Sequence, residues 1–511
     1  MNKFFAVSLL LATTLVAGAQ TATNLVAGVD QTLPVSLKDC IQQALQHNFD
    51  VQIQRYNPEI EQFALRGDYG GYDPSLTISG QHQHSNVGAG ATVITTNLSL
   101  ELTTNRTTFS SLNDVNSFET GVGGATPWGM QYDLFGNVEE TQNTPAYSGS
   151  QNSSGQIGVD VTQPLLKNFW IDTTRLTIQV AKNRLHYSEQ GLRLQFITTV
   201  AAVQNAYYEL IYAQENVKVQ QEALTLAQTQ LDQDRQRVEV GSLAPLDVQQ
   251  DEAQVASSQA ALIAASNSLA IDQNTLKNLL TDDYAHWHKT ALAPTETLSA
   301  TLQLFDLQEC WGKGMVKRPD LLQAQLDVEQ QGITLKFDRN QIYPELDVQG
   351  SYGYNGNGRV YSSAFDDYGE ANHPFYSYGA SVTIPLSNTK ARNSLKADKV
   401  TLQQELLTLK QLEQNILVDI DNAVHQVASD YEGVQASQQA RVYAAAALDA
   451  EQKKYAVGKS TTFTVLQLQN TLTTDRGAEI RSIANYNEDL AKLSQQEGST
   501  LDDLNINVEI Q

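Results

Sequence analysis

The sequence predicts a mixed α and β protein. Long antiparallel coiled-coil helical hairpins carry most of the chain, and short alternating strands are set between them. Three observations predict it: apolar residues recur every seven positions over very long stretches, strand-period segments interrupt those stretches, and the same order of segments occurs twice.

The chain has 511 residues and a formal charge of −24. A nucleic-acid partner is not expected, because affinity for phosphates depends on clustered Lys and Arg. It opens "MNKFFAVSLLLATTLVAGAQ": Lys3, then an apolar run, then Ala17-Gly18-Ala19. This is the pattern of a secretory signal over residues 1–19. No Cys stands at the cut to take a lipid. No later apolar run is long enough for a spanning helix, so a membrane-spanning form of this chain must be a β-barrel.

The duplication is read by offset. "LKDCIQQALQHNFDV" (37–51) aligns with "LQECWGKGMVKRPDL" (307–321) at a shift of 310 − 40 = 270, and the shift holds to Pro74 and Pro344. The later parts align at 458 − 241 = 217, pairing Gly241 with Gly458 and Val248 with Val465. The first repeat then covers 34–282, the second 304–501, and 502–511 is a tail. The first carries an insertion at about 88–150. The period is too long for a solenoid. Cys40 and Cys310 fall on equivalent positions of separate copies, which favours free buried thiols over a disulfide.

Each repeat reads as helix, strands, then two long helices. In the first, Phe196, Val203, Leu210, Val217, Leu224, Leu231 and Val238 recur by seven, with Ala206, Ala213 and Ala227 three positions on. Large and small residues in one seam suit close helix packing. After a turn the spacing resumes at Val248, Val255, Leu262, Leu269 and Leu276, so the second helix returns along the first. In the second repeat Ile420, Val427, Val434 and Leu448 keep the seam and Arg441 breaks it.

The strands alternate. Tyr376, Tyr378, Ala380, Val382 and Ile384 face one way, and Ser377, Gly379, Ser381 and Thr383 the other. Leu346, Val348, Tyr352 and Tyr354 alternate likewise. In the first repeat Leu76 and Ile78 start one strand, and Ile157, Val159 and Val161 form another. Inside the insertion, Leu98, Leu100 and Leu102, then Trp128, Met130, Tyr132 and Leu134, read as an extra hairpin of open placement. Apolar-out, polar-in segments of about ten residues are what a transmembrane barrel strand requires; an ordinary half-buried sheet alternates equally, and it is the signal segment and the setting of these strands between long helices that favour the barrel. Two core strands per repeat give four per chain, too few to close a barrel, so copies must pool their strands; three chains would supply twelve.

No catalytic or cofactor motif is found: no P-loop, no G-x-S-x-G and no zinc-protease signature. His286-Trp287-His288 and His82-Gln83-His84 lack a carboxylate cluster to complete a metal site.

"LPVSLKDCIQQALQHN", the pairs "DPSLTISG"/"YPELDVQG" and "VTQPLLKNF"/"VTIPLS", and the turns "VGSLAPLDVQ"/"VGKSTTFTVLQ" together resemble the TolC-type outer-membrane efflux proteins, from Leu33 to about Leu501. The resemblance implies a homotrimer with one twelve-stranded barrel in outer-membrane lipid and helices forming a periplasmic tunnel. It implies a passive, cofactor-free duct working with a periplasmic adaptor and an inner-membrane pump or secretion ATPase. The two turns become the periplasmic tip, where the tunnel is gated. In family register Asp247 and Tyr455 take the positions of a bonded Asp and Tyr, and Ser460, beside Lys459, stands where Arg is expected. Thr464 and Gln467 hold the places of the family's constriction aspartates. Gly241, Pro245 and Gly458 read as turn residues: the glycines as left-handed helix ends and Pro245 in a first helical turn. Asp247 also suits a helix N-terminus on charge alone. The rival reading is a secreted or periplasmic coiled-coil scaffold, which leaves the Tyr-rich strands unexplained.

Overall fold

A computed structural model describes residues 31–87, 111–144 and 150–506. The signal segment, the alternating Leu98–Leu102 stretch and the end of the tail lie outside the described residues.

The order is β1 Gln31–Val35, α1 Leu37–His47, α2 Phe49–Tyr69, a 3-10 turn Gly70–Tyr72, β2 Ser75–Val87, β3 Ser111–Ala125, β4 Gln131–Thr144, β5 Ser150–Pro164, α3 Thr173–Glu239, α4 Pro245–Leu280, α5 Tyr284–Trp287 and β6 Thr290–Pro294. There follow α6 Leu307–Lys317, α7 Pro319–Asn340, β7 Glu345–Gly358, α8 Tyr361–Glu370, β8 Pro374–Thr383, α9 Thr389–Ala456, α10 Thr462–Glu497 and α11 Thr500–Asp503. Element boundaries keep the two sequence offsets. α6 and β7 begin 270 residues after α1 and β2, and α10 begins and ends 217 residues after α4.

The residues form two compact units: 31–48, 202–300 and 432–488 in one, and 49–201, 301–431 and 489–506 in the other. α3 and α9 contribute to both.

In the first unit the ends of α3 and α9 pack with α4 and α10. The seam residues Val203, Leu210, Leu224 and Leu231 of α3 are buried, as are Val434 and Leu448 of α9. The break at Arg441 is answered by an ion pair with Glu479 on α10. Polar pairs fix the remaining neighbours. Arg235 meets Glu252 on α4 at 2.8 Å, Arg476 meets Glu222 on α3 at 2.6 Å, and the Gln254 and Asn470 amides exchange bonds between α4 and α10. β1 and β6 pair in parallel, and Tyr207 donates to the Val35 carbonyl. Five-residue strands of this kind have too short a period to be read from sequence.

The second unit holds a six-stranded antiparallel sheet in the order β2-β3-β4-β5-β7-β8. The four core strands expected from the sequence are β2, β5, β7 and β8, and the extra hairpin, whose placement the sequence left open, lies in the same sheet. The insertion supplies two full strands, and they enter the sheet between β2 and β5. β3 escapes sequence reading because Gly121, Gly123 and Gly124 look like turn residues. They are strand residues here, and a Cβ on Gly124 would lie 2.7 Å from the Tyr132 hydroxyl of the neighbouring strand. The turn is "TPWGM": Thr126 N–H donates to Met130 O, and Gly129 has φ +87°. Trp128 and Met130 thus belong to the turn rather than to a strand.

The pleat sorts the faces across all six strands. Leu76, Val122, Leu134, Val159, Tyr352 and Tyr376 oppose one another in one row. The next row, on the other face, is Ser75, Gly123, Asp133, Asp160, Ser351 and Ser377. α8 covers the ends of the strands remote from the long helices. There Tyr361 donates to Asn116 O and Tyr368 to Asn137 O, each at 2.9 Å.

Candidate functional site

The two turns between long helices are built alike. α3 ends at Glu239 and α4 begins at Pro245; α9 ends at Ala456 and α10 begins at Thr462. Gly241 (φ +75°) and Gly458 (φ +72°) both close a Schellman motif. Their N–H groups donate to Val238 O and Tyr455 O, and the next residues, Ser242 and Lys459, donate to Arg237 O and Lys454 O. Nothing lies within 4 Å of a Cβ at either glycine, so it is backbone conformation, not space, that requires glycine. Pro245 is the first residue of α4, where its missing N–H costs nothing. The second turn uses Thr461 instead, whose hydroxyl accepts from Thr464 N–H at 3.3 Å.

Just inside these turns lies a buried polar cluster to which all four helices contribute. Asp234 of α3 is fully buried. Its carboxylate accepts from the Tyr455 hydroxyl of α9 at 2.7 Å and from the Gln230 amide at 2.8 Å. The Arg237 guanidinium stands 3.4 Å from its other oxygen and lies over the Tyr455 ring, 4.5 Å from the centroid. Thr462 of α10 bonds the Tyr455 hydroxyl at 2.8 Å. Burial pushes the Tyr455 phenol up to about 12, so it remains a donor.

The fourth helix brings Asp251, also fully buried. Neither of its oxygens meets a donor group among the described residues. Burial, then the negative charge of the facing Asp234 carboxylate, raises its pKa to about 7. Burial and the facing carboxylate thus favour the protonated form of Asp251.

The residues read from family register are placed as follows. Tyr455 lies in the cluster, but its hydroxyl goes to Asp234. Asp247, one turn of helix from Asp251, is half-exposed and adds to the negative potential there. Ser460 donates to Glu451 at 2.6 Å, and Glu451 also pairs with Lys454. Lys459 is exposed. The Thr464 hydroxyl bonds Thr461. Gln467 is exposed and lines a cleft of about 800 Å³ between α4 and α10, with Gln250, Gln254, Phe463 and Asn470.

Sequence reading missed Asp234, Asp251 and Thr462, although a signal existed. Asp234 occupies the small-residue seam position of Ala206, Ala213 and Ala227. Asp251 occupies the matching position of α4, followed by the buried Ser258 and Ala265. A carboxylate in a heptad seam near a turn marks a buried polar contact.

The histidine pairs do not converge on a metal. His82 bonds Asn116 and His84 bonds Asp114 on the adjacent strand, and His286 and His288 are exposed around α5. Among the described residues there is no group of three or more His, Cys, Asp or Glu able to hold a metal. Cys40 and Cys310 are free and buried.

The family model described as outer membrane efflux protein matches residues 40–281 and 315–499. Outer membrane protein TolC of Vibrio cholerae is 24% identical over 379 residues, 71% of this chain and 81% of that protein. Outer membrane efflux protein BepC of Brucella suis is 22% identical over 324 residues, 63% of this chain and 67% of that protein. The crystal structure of the Campylobacter jejuni CmeC outer membrane channel shares the fold, with a TM-score of 0.64 at 14% identity over 91% of this chain and 86% of that one.

Proposed function

Because this chain belongs to the outer membrane efflux protein family, we propose that it forms a homotrimeric channel-tunnel that conducts substrates passively from the periplasm to the exterior. The sheet of each copy contributes to one barrel in outer-membrane lipid. The long helices form a tunnel wall in the periplasm, and the two matched turns form its gated end. A periplasmic adaptor and an inner-membrane pump or secretion ATPase deliver the cargo. The chain performs no catalysis and needs no cofactor.

The family match over both repeats carries this reading. The sheet supports it: across six strands a row of large apolar residues lies beside a row of Ser, Gly and Asp on the other face, the sorting that a wall between lipid and water requires. No described helix is long and apolar enough to cross a membrane. A barrel satisfies the backbone in lipid without one.

At the tip, the gate reading rests on Asp234, Tyr455 and Thr462, which tie α3 to both helices of the second hairpin. Asp247, Lys459, Ser460, Thr464 and Gln467 stand around it. Opening the end requires the hairpins to separate, and that breaks these bonds.

Membrane fractionation followed by light scattering tests the whole reading. The expected result is a detergent-extracted trimer from the outer membrane that conducts ions in planar bilayers. A soluble periplasmic monomer would overturn it.

A further inference from the structure

We infer that the barrel closes with eighteen strands, six from each of three copies, through pairing of β8 of one copy with β2 of the next. This rests on the channel reading and goes beyond it. The partner is a second copy of this chain, and the interface is the two free edges of the sheet.

The edges carry the argument. β2 and β8 are the outermost strands. Nearly all their described residues are exposed. Soluble proteins guard such edges with charge, proline or bulges. Neither strand contains Asp, Glu, Lys or Arg, and the one proline, Pro374, is the first residue of β8. Both ladders next to the edges run unbroken, thirteen pairs for β2 with β3 and ten for β7 with β8. These are edges prepared for another strand.

Direction and polarity fit a copy of the same sheet. The strands alternate through an even number, so β2 and β8 run oppositely. β8 of one copy then meets β2 of the next antiparallel, as every other pair in the sheet does. Leu76 and Ile78 of β2 continue the apolar face that Tyr376, Tyr378 and Val382 present on β8.

The inserted hairpin belongs inside the ring, not beside it. β3 and β4 each pair on both sides along nearly their full length. Their turn is held where β5 passes into α3. Gln163 donates to Trp128 O, and a Cβ on Gly129 would lie 2.6 Å from Asn168 O. Lifting the hairpin out would break two ladders and that contact.

The consequence is bore. With strands about 4.8 Å apart and tilted by about 40°, twelve strands give a backbone radius of about 12 Å and eighteen about 18 Å. The cross-section more than doubles, and eighteen strands is a size at which barrels leave an open aqueous channel.

Electron cryomicroscopy of the full chain in lipid nanodiscs tests this. A trimer with eighteen strands is the expected result. A trimer with twelve, its β3–β4 hairpin outside the ring, overturns the inference and leaves the channel reading intact; absence of a ring overturns the channel reading itself. Cross-linking gives a second readout, with Cys40 and Cys310 replaced by alanine. Ser79→Cys with Glu119→Cys should link within one copy in membranes, since these residues are directly opposed. Ser79→Cys with Gln156→Cys should not, being three strand spacings apart, or about 14 Å. Linking of the second pair instead of the first means that β2 adjoins β5 and the inference fails.

Discussion

The Tyr455 hydroxyl donates to the Asp234 carboxylate at 2.7 Å, joining the last turn of α9 to the last turns of α3. Both side chains are buried, so the bond is charge-assisted and shielded from water. Tyr455→Phe leaves that carboxylate one donor short at almost unchanged volume. The expected loss is about 1–3 kcal/mol, the range for a buried charged group deprived of a partner. Hydrogen–deuterium exchange checks it: protection should fall in residues 230–251 and 455–466 and hold elsewhere in the same helices. Unchanged protection would mean that Gln230 and Arg237 suffice.

Asp251 should make this end sensitive to pH. Its pKa is raised to about 7 in the folded chain, against about 4 for an unperturbed Asp, so the folded state binds the extra proton between those values. The contribution is fully present below pH 4 and is lost as pH rises through 7. The groups facing it are Asp234 and Asp247, with Arg237 and Tyr455 on the far side of Asp234. Exchange of residues 230–251, corrected for intrinsic rates, should therefore be slower at pH 5.5 than at pH 8.5. Asp251→Asn should abolish that difference, because the amide stays neutral and donates to Asp234. A pH dependence that survives the variant would place the titrating group elsewhere.

How much of this was legible in the sequence depends on how local the signal is. The hairpin turns were readable, because Gly241, Pro245 and Gly458 act on their own backbone. The long helices were readable from a seven-residue period; burial follows it along most of α3, while on α4 the buried positions include Asp251, Ser258 and Ala265 and, of the apolar seam, Leu276. Asp234 was not readable, because its role depends on Tyr455, 221 residues away. Register with the family pointed to Asp247, which lies on α4 one turn before Asp251, whereas the carboxylate bonded to Tyr455 is Asp234 on α3. β3 was lost to its glycines, whose close approach to Tyr132 and Asp133 exists only once β4 lies beside it.

The two glycines should respond alike. Each holds φ above +70° with open space around it, so the strain of a side chain is purely that of the backbone. Gly241→Ala and Gly458→Ala should each cost about 1–2 kcal/mol. Asn, which tolerates the left-handed region, should cost less at both sites. Chemical denaturation of the single variants measures this, and a larger cost for Asn than for Ala would refute the backbone origin.

Both thiols should be silent in the native chain. Burial first, aided by nearby carboxylates, pushes Cys40 and Cys310 up to about 12, so neither supplies thiolate at neutral pH. Iodoacetamide should label neither before denaturation and both after it, with no reductant needed. Labelling of the unfolded chain only after reduction would reveal a disulfide.

The last prediction separates two aspartates at the tip. If the end is held shut by the buried cluster, Asp234 matters more than Asp247, although family register favours the latter. Asp234 bonds side chains on α3, α9 and, at 3.5 Å, Thr462 on α10. Asp247 acts on the cluster only through its charge near Asp251. Asp234→Asn keeps the shape but removes the charge that holds Arg237 and strengthens the Tyr455 bond. In planar bilayers it should raise single-channel conductance several-fold. Asp247→Ala should change conductance little, while lowering the pH at which Asp251 titrates by removing a neighbouring negative charge. The opposite ranking, with trimers intact in both variants, would transfer the gate from the cluster to the rim.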